Sequence, residues 1–179
     1  PPETAEEYVT LQRQNYFIGH DASHLISFER CTRNSLPVLR TKFSKVRINI
    51  ESMGIMQDDF TFATTTGNSS KERNVPFGTC SDCTAEAWWE KRWGPCELEG
   101  TFQIDLHDTG LSIAKSVGWV NDSGDWFSEI RQFSRSADST KVSCLVIGWC
   151  GNCIPNDTIT LEPLYGAETS GTAQRVICD

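Results

Sequence analysis

Positive charge is what this sequence is short of. Sixteen Lys and Arg stand against 24 Asp and Glu, a net charge of −8, and that field excludes a general binder of nucleic acid or anionic membrane, because both draw their partners through positive potential. Long apolar runs are missing too. The longest, Cys144-Leu-Val-Ile-Gly-Trp-Cys150, is far too short to cross a bilayer. Histidine is confined to His20, His24 and His107, and neither the His-Glu-X-X-His string of a zinc protease nor the Gly-X-Ser-X-Gly elbow of an α/β-hydrolase occurs. No glycine-rich loop is present to cradle a phosphate. Hydrophobic residues, at 38%, fall below the roughly 45–50% usual in globular domains.

Sulfur and aromatic bulk offset that thin core: the chain of 179 residues carries 8 Cys, 6 Trp and 9 Phe. Cys31, Cys80, Cys83, Cys96, Cys144, Cys150, Cys153 and Cys178 make an even set that is heavy for a reducing cytosol and ordinary for an oxidising compartment. Six of them fall into the clusters 80/83/96 and 144/150/153. An odd cluster cannot satisfy itself, so full bridging sends at least one bond to the other cluster or to Cys31 or Cys178. The long loop so closed, on the order of 50–100 residues, stabilises by roughly 4–5 kcal/mol on the chain-entropy account. The alternative use of Cys80, Cys83, Cys150 and Cys153 is a tetrahedral zinc, but the two Cys-X-X-Cys pairs lie too far apart for a compact ribbon. Three Asn-X-Ser/Thr sequons, at Asn68, Asn121 and Asn156, sit in polar turn-like stretches and are glycan-acceptor candidates. Sequons and cysteines together favour structural disulfides and a secreted protein. Pro1-Pro2-Glu3-Thr4 reads as a mature end or as a cut within a larger protein.

Period-two alternation dominates the chain. Val46, Ile48 and Ile50 alternate with Arg47, Asn49 and Glu51, and the same pattern returns at 60–64, at Phe102-Gln-Ile-Asp-Leu106 and at Leu111-Ser-Ile113. Residues 142–149 suit a fully buried strand, and Ile159 and Leu161 suggest a last one before Pro163. Helical signals are confined to Thr84–Trp93 and Trp126–Phe133. The segments 65–74, 134–140 and 166–175, rich in Thr, Ser, Asn and Gly, read as loops. The expectation is one all-β domain, mostly antiparallel and sandwich-like, with one or two short helices and disulfide staples.

No catalytic or metal-ligating set emerges from the spacing, and an unrecognised secreted hydrolase stays as a further alternative that needs a pocket gathering His107 or His20 with a hydroxyl or thiol. His20 and His24 are spaced for one helical face, yet Gly19 and Asp21-Ala-Ser favour a loop. Asp105 and His107 resemble an orienting carboxylate and a base without a nucleophile beside them. Asp58-Asp59 and Asp21 are turn formers first. Trp88, Trp89 and Trp93 offer either a sugar-stacking platform or buried core. The net charge also hides an asymmetry: Arg30, Arg33, Arg40, Lys42, Lys45 and Arg47 occur with no acidic residue among them. On a strand, Lys45 and Arg47 project opposite Val46 and Ile48. With Arg40 and Lys42 they form a candidate strip for sulfated glycosaminoglycan or another polyanion.

The run Val46-Arg-Ile-Asn-Ile-Glu-Ser-Met53-Gly54-Ile-Met, then Asp59-Phe60-Thr-Phe-Ala63, Val75-Pro-Phe-Gly-Thr79 and Cys83, resembles the GON domain of ADAMTS secreted metalloproteinases. The likeness continues through Gly100-Thr-Phe-Gln-Ile-Asp-Leu106, Thr109-Gly-Leu-Ser112, Trp119, Cys144 and Trp149-Cys-Gly-Asn-Cys153, and Glu7-Tyr-Val-Thr-Leu11 echoes a further family motif. It spans about 7–155 of a single domain, leaving 156–179 as an extension; the family's domain starts with a further cysteine-bearing segment ahead of Pro1. The resemblance implies a non-catalytic module with no cofactor of its own, zinc belonging to a separate catalytic domain of the parent. It also implies extracellular-matrix localisation, partners among secretory-pathway or matrix proteins, and roles in transport from endoplasmic reticulum to Golgi and in tissue remodelling.

Overall fold

A computed structural model describes residues 6–20, 38–67, 74–82, 100–122, 128–147 and 151–164. Strand follows strand along them: β1 (Glu7–His20), β2 (Val38–Asn49), β3 (Gly54–Ile55), β4 (Ala63–Gly67), β5 (Cys80–Asp82), β6 (Gly100–Asp105), β7 (Leu111–Ile113), β8 (Trp119–Asn121), β9 (Glu129–Arg135), β10 (Lys141–Ile147), β11 (Gly151–Pro155) and β12 (Leu161–Pro163). Every ladder is antiparallel. A seven-stranded sheet runs β3-β2-β1-β6-β10-β9, with β4 pairing β2; β5-β11-β8 and β12-β7 form two smaller sheets. The expected all-β, sandwich-like class is what the chain adopts.

Alternation along the large sheet decides the layers. Phe17, Leu39, Phe43, Phe102, Ile104, Val142, Cys144 and Val146 are buried on its inner face, against Phe77, Ile113, Val117, Cys153, Ile159 and Leu161 from the opposite layer. Rings link across this interior: Phe60 to Phe43, Phe43 to Phe77, Phe77 to Phe17, Phe17 to Phe102, Phe102 to Trp119 and Trp119 to Phe133, with centroids 4.7 to 5.9 Å apart. Such pairs add about 0.5–1.5 kcal/mol each beyond the area they bury. Cys144 on β10 is bonded to Cys153 on β11, which staples the layers covalently. A closed loop of this separation, 9 residues, contributes about 2.5 kcal/mol by chain entropy.

One irregularity re-aims the sheet. The β1–β2 register breaks between Thr10↔Lys45 and Asn15↔Phe43, so that Leu11 to Gln14 face Ser44 alone. On β2 the buried positions then change parity, from Leu39, Thr41 and Phe43 to Val46, as a bulge dictates. Inside it lies Asn15, 0% exposed. Its Nδ2 donates to the carbonyls of Arg13 and Asp105, both at 3.0 Å, and its Oδ1 accepts from the Asp105 amide at 2.7 Å. The side-chain amide thus does for β6 what a strand backbone would, leaving no buried polar atom of Asn15 unsatisfied.

Several expectations are corrected. Glu129–Arg135 is strand β9 rather than the end of a helix begun at Trp126, because its backbone groups pair with β10 and tertiary pairing outweighs a short local preference. The strand expected over 60–64 begins at Ala63 instead; Asp59 Oδ1 accepts the Thr61 amide, and Ala63 donates to Phe60, making 60–62 a turn. Thr65–Gly67 belongs to β4 and Ser134–Arg135 to β9 rather than to loops. Threonine is β-branched, and Thr65 is further held by a 2.8 Å hydroxyl contact with Thr41. Ile50 does not share the buried face: Asn49 Oδ1 accepts the amides of Glu51 and Ser52, turning the chain and leaving Ile50 63% exposed. The helix expected at 84–93 and the loop at 166–175 lie outside the described residues.

Phe77 reaches the interior from a turn, Pro76 to Thr79, closed by the Thr79 amide donating to Pro76 O. The turn needs a left-handed third residue, supplied by Gly78 at φ 78°. A Cβ there would stand 2.3 Å from Cδ1 of buried Ile159, whereas one on Gly110, at φ 75°, meets nothing within 4 Å. Gly78→Ala is therefore expected to destabilise by about 2–4 kcal/mol, from backbone strain plus overpacking. Gly110→Ala should lose only about 1 kcal/mol, the strain alone. Urea midpoints of the two variants check this, and equal losses would refute the packing argument.

Candidate functional site

The bulge gives the large sheet's outward face a basic character. Because parity switches at Ser44, Arg40 and Lys42 before it and Lys45 and Arg47 after it all turn away from the core. Lys42 lies opposite Tyr16 of β1 and Thr64 of β4; Arg40 lies opposite Ile18 and Thr66. The Arg40 guanidinium sits 4.7 Å above the Tyr16 ring, and Lys45 Nζ lies 4.7 Å above the Phe62 ring, each a cation on an aromatic face. Among the described residues neither Arg40, Lys42 nor Lys45 has a carboxylate within ion-pair distance. Arg47 differs, being paired with Glu6 at 3.0 Å and Asp59 at 3.4 Å. Burial works to raise the Asp59 carboxyl, yet hydrogen bonds from Thr61, Tyr8 and Arg47 outweigh it and hold the group below its ordinary value. Beside the bulge opens a depression of about 420 Å³ lined by Leu11, Arg13, Lys42, Phe43, Phe62 and Thr64 among others. Arg13 is paired with Asp108 at 2.8 Å.

A second cluster gathers at the end of β6. His107 Nδ1 is 2.7 Å from Asp105 Oδ1, and His107 Nε2 is 3.4 Å from Thr140 Oγ1. The sequence pattern pairs Asp105 with His107 and gives no sign of the Thr140 hydroxyl, which lies 33 residues further on. The order carboxylate, imidazole, hydroxyl is that of a nucleophile triad. Thr140, however, is 1% exposed, and its hydroxyl donates to Asp138 Oδ1 at 2.9 Å. A substrate carbonyl has no path to that oxygen, and the proton faces a carboxylate rather than the ring. The arrangement is a hydrogen-bonded clamp, with Lys141 Nζ 3.4 Å from Asp105 Oδ2 on its far side.

The sulfur positions regroup the zinc alternative. Cys80, Cys144 and Cys153 bring their sulfurs within 4.8 Å of one another in the buried interlayer, Cys80 lying opposite Cys153 in the β5–β11 ladder. Cys153, one of the four thiolates a Cys-X-X-Cys zinc site would use, is bonded to Cys144. Cys31, Cys83, Cys96, Cys150 and Cys178 lie outside the described residues, as do Asp21, His24, Arg30, Arg33, Asn68, Trp88, Trp89 and Trp93. His20 is the last residue of β1. Asn121 stands in β8 and Asn156 just after β11. Asp59 does form a turn, and Asp58 is exposed beside it. Among the described residues no helix is long and apolar enough to cross a membrane.

The described residues thus form a disulfide-stapled β-sandwich with a basic, aromatic-backed sheet face. Residues 2–163 match the GON domain family. The chain belongs to that family. It is 37% identical over 126 residues to the mouse protein named "A disintegrin and metalloproteinase with thrombospondin motifs 20", a match covering 70% of this chain and 6% of that protein. The human protein of the same name is 33% identical over 132 residues, 73% of this chain and 6% of its own length. The gon-1 protein of the same series from Caenorhabditis elegans is 31% identical over 115 residues, 64% of this chain and 5% of its own. The chain thus spans a small fraction of the relatives it matches. No solved structure matches it.

Asp138 gives the clamp a pH signature. Hydrogen bonds from the Ser136 hydroxyl at 2.6 Å and from the Thr140 amide and hydroxyl lower its carboxyl to about 2 from 3.8. A folded value below the unfolded one means that the carboxylate's contribution is complete above about pH 4 and fades as pH falls through about 2. Stability of Asp138→Asn should run parallel to wild type above about pH 4, and the gap should close towards about pH 2. Urea midpoints across that range test it; a gap constant with pH would contradict the assignment.

Proposed function

We propose that this chain is a non-catalytic recognition module of a secreted metalloproteinase, acting in passage from endoplasmic reticulum to Golgi and in remodelling of extracellular matrix. The observation that carries the proposal is membership of the GON family across 2–163, with relatives named as metalloproteinases. The buried hydroxyl at Thr140 supports recognition over hydrolysis, since the described set most like catalytic machinery is closed to substrate. Zinc chemistry belongs on this reading to another part of the parent protein. The isolated chain, incubated with denatured protein and proteoglycan substrates, is expected to cleave neither. Removing the module from the parent is expected to slow its exit from the endoplasmic reticulum, followed by pulse-chase. Cleavage by the isolated chain, or unaltered exit of the truncated parent, would each overturn one half of the proposal.

A second reading is favoured by one specific observation: in a chain of net charge −8, Arg40, Lys42 and Lys45 share an outward face and no described carboxylate pairs with them. Cations left uncompensated beside a depression, over Tyr16 and Phe62, suit a sulfated glycosaminoglycan, whose sulfates take charge-assisted hydrogen bonds and whose sugar faces pack on rings. Lys42→Ala with Lys45→Ala should elute from immobilised heparin at clearly lower salt than wild type. Lys115→Ala, an exposed charge elsewhere, should elute unchanged, and equal shifts in both would reduce the effect to net charge.

A further inference from the structure

We infer that Asn156 is an N-glycan acceptor and that the sequon at Asn121 stays bare in the folded protein. The inference rests on the secretory reading above, because that route supplies the donor. Both sequons have the form Asn-Asp-Ser/Thr, so sequence alone separates them poorly. Their side-chain amides are used in opposite ways.

Asn156 is exposed in the connection between β11 and β12, as are Asp157 and Thr158. Its Oδ1 accepts the Gly118 amide at 2.8 Å, which fixes the plane of the side-chain amide. Among the described residues Nδ2 has no acceptor, so exchanging one of its hydrogens for a sugar forfeits no hydrogen bond within them. Residue 118, against which this amide packs, is glycine, and a Cβ there would stand 3.3 Å from Nδ2 and crowd the nitrogen. The bond that orients the amide runs through oxygen and survives modification of nitrogen.

Asn121 is half-buried, and its Nδ2 donates twice to Ser128, to the carbonyl at 2.8 Å and to the hydroxyl at 3.0 Å. Its Oδ1 accepts the Asn152 amide at 3.2 Å, tying β8 to β11. A sugar on this nitrogen would break at least one of the Ser128 bonds and force a bulky ring between β8 and the residue leading into β9. Transfer precedes completion of folding, so the fold acts by tolerance: a chain modified at Asn156 folds, and one modified at Asn121 does not reach this structure. In the transfer itself, Nδ2 attacks the anomeric carbon of an oligosaccharide carried on a polyprenyl diphosphate. The N–C bond forms, the C–O bond to diphosphate breaks, the lipid diphosphate leaves, and the amide proton passes to a base of the transferase.

The test expresses the full chain behind a heterologous signal sequence in a eukaryotic secretory host, so natural routing does not enter the outcome. Enzymatic glycan release in heavy-oxygen water, followed by peptide mass mapping, marks every Asn that carried a glycan. In secreted material the mark is expected at Asn156 and absent from Asn121, and Thr158→Ala should lose the Asn156 mark while leaving the residue in place. An unmarked Asn156, or a marked Asn121 in secreted protein, would overturn the inference and leave the functional proposal standing. Failure of the native parent to enter the secretory route would do the reverse.

Discussion

The fold depends on Phe77 being held between its two layers, 0% exposed at the centre of the ring contacts. The inner face of the large sheet offers Phe17 and Phe43, and Phe77 meets both rings, at 4.7 and 5.3 Å, from a turn rather than from a strand. That turn is fastened on each side. Gln57 meets the Phe77 backbone twice, through its own carbonyl at 3.1 Å and its side-chain amide at 2.7 Å, and Trp119 Nε1 donates to Gly78 O at 2.7 Å. The hydrogen bonds satisfy backbone that would otherwise be buried unpaired, which a loop entering a core must arrange. Trp119 then passes the contact on to Phe102 and Phe133. Aliphatic side chains such as Ile104, Leu106, Ile113, Val142, Ile159 and Leu161 fill the rest of this interior, and the rings and the staple link its layers.

The outward face is tied to this interior. A bulge that admits Asn15 to the interior also sets the parity of β2, so core packing and the exposure of Arg40, Lys42, Lys45 and Arg47 have one cause. With an unbroken strand, Lys45 and Arg47 would share a side with the buried Thr41 and Phe43, and two charges would face the core at a desolvation cost. The irregularity is a requirement of the sequence pattern, in which apolar positions change from odd to even between Phe43 and Val46.

Much of this was legible in the residues, and the parts that were not have physical reasons. Alternation in 46–48 and 102–106 located β2 and β6 because each has one face turned to the core; the apolar run from Val142 located β10, though that strand buries Val142, Cys144 and Val146 and leaves Ser143 and Leu145 only half-buried instead of being buried throughout. The family likeness rested on motifs that prove structural: Val75-Pro-Phe-Gly-Thr79 is the turn carrying Phe77, and Gly100 to Leu106 is β6 and its exit. Strands β5, β8 and β11 escaped notice, being short and defined by pairing rather than by pattern. So did β1, whose buried positions include Asn15 and Gly19 where an apolar side chain would have marked the alternation. Asn15 and Thr140 gave no signal at all: a buried amide or hydroxyl is recognisable only once the backbone it satisfies is in place. Asp138, set between Ser136 and Thr140, had the local spacing of a side chain that caps its own turn.

Where the acids went explains why the basic face is open. In a chain with eight more carboxylates than cations, a random distribution would place some opposite Arg40, Lys42 and Lys45. Five of the described carboxylates are engaged elsewhere: Asp59 and Glu6 on Arg47, Asp108 on Arg13, Asp105 on His107 and Lys141, and Asp138 on Ser136 and Thr140. Each of these carboxylates closes a turn or ties two strands. The acidic surplus is therefore partly structural, spent on local hydrogen bonds whose strength comes from ionised acceptors. The negative charge of these five is held by the fold at strand ends and turns, out of ion-pair reach of Arg40, Lys42 and Lys45.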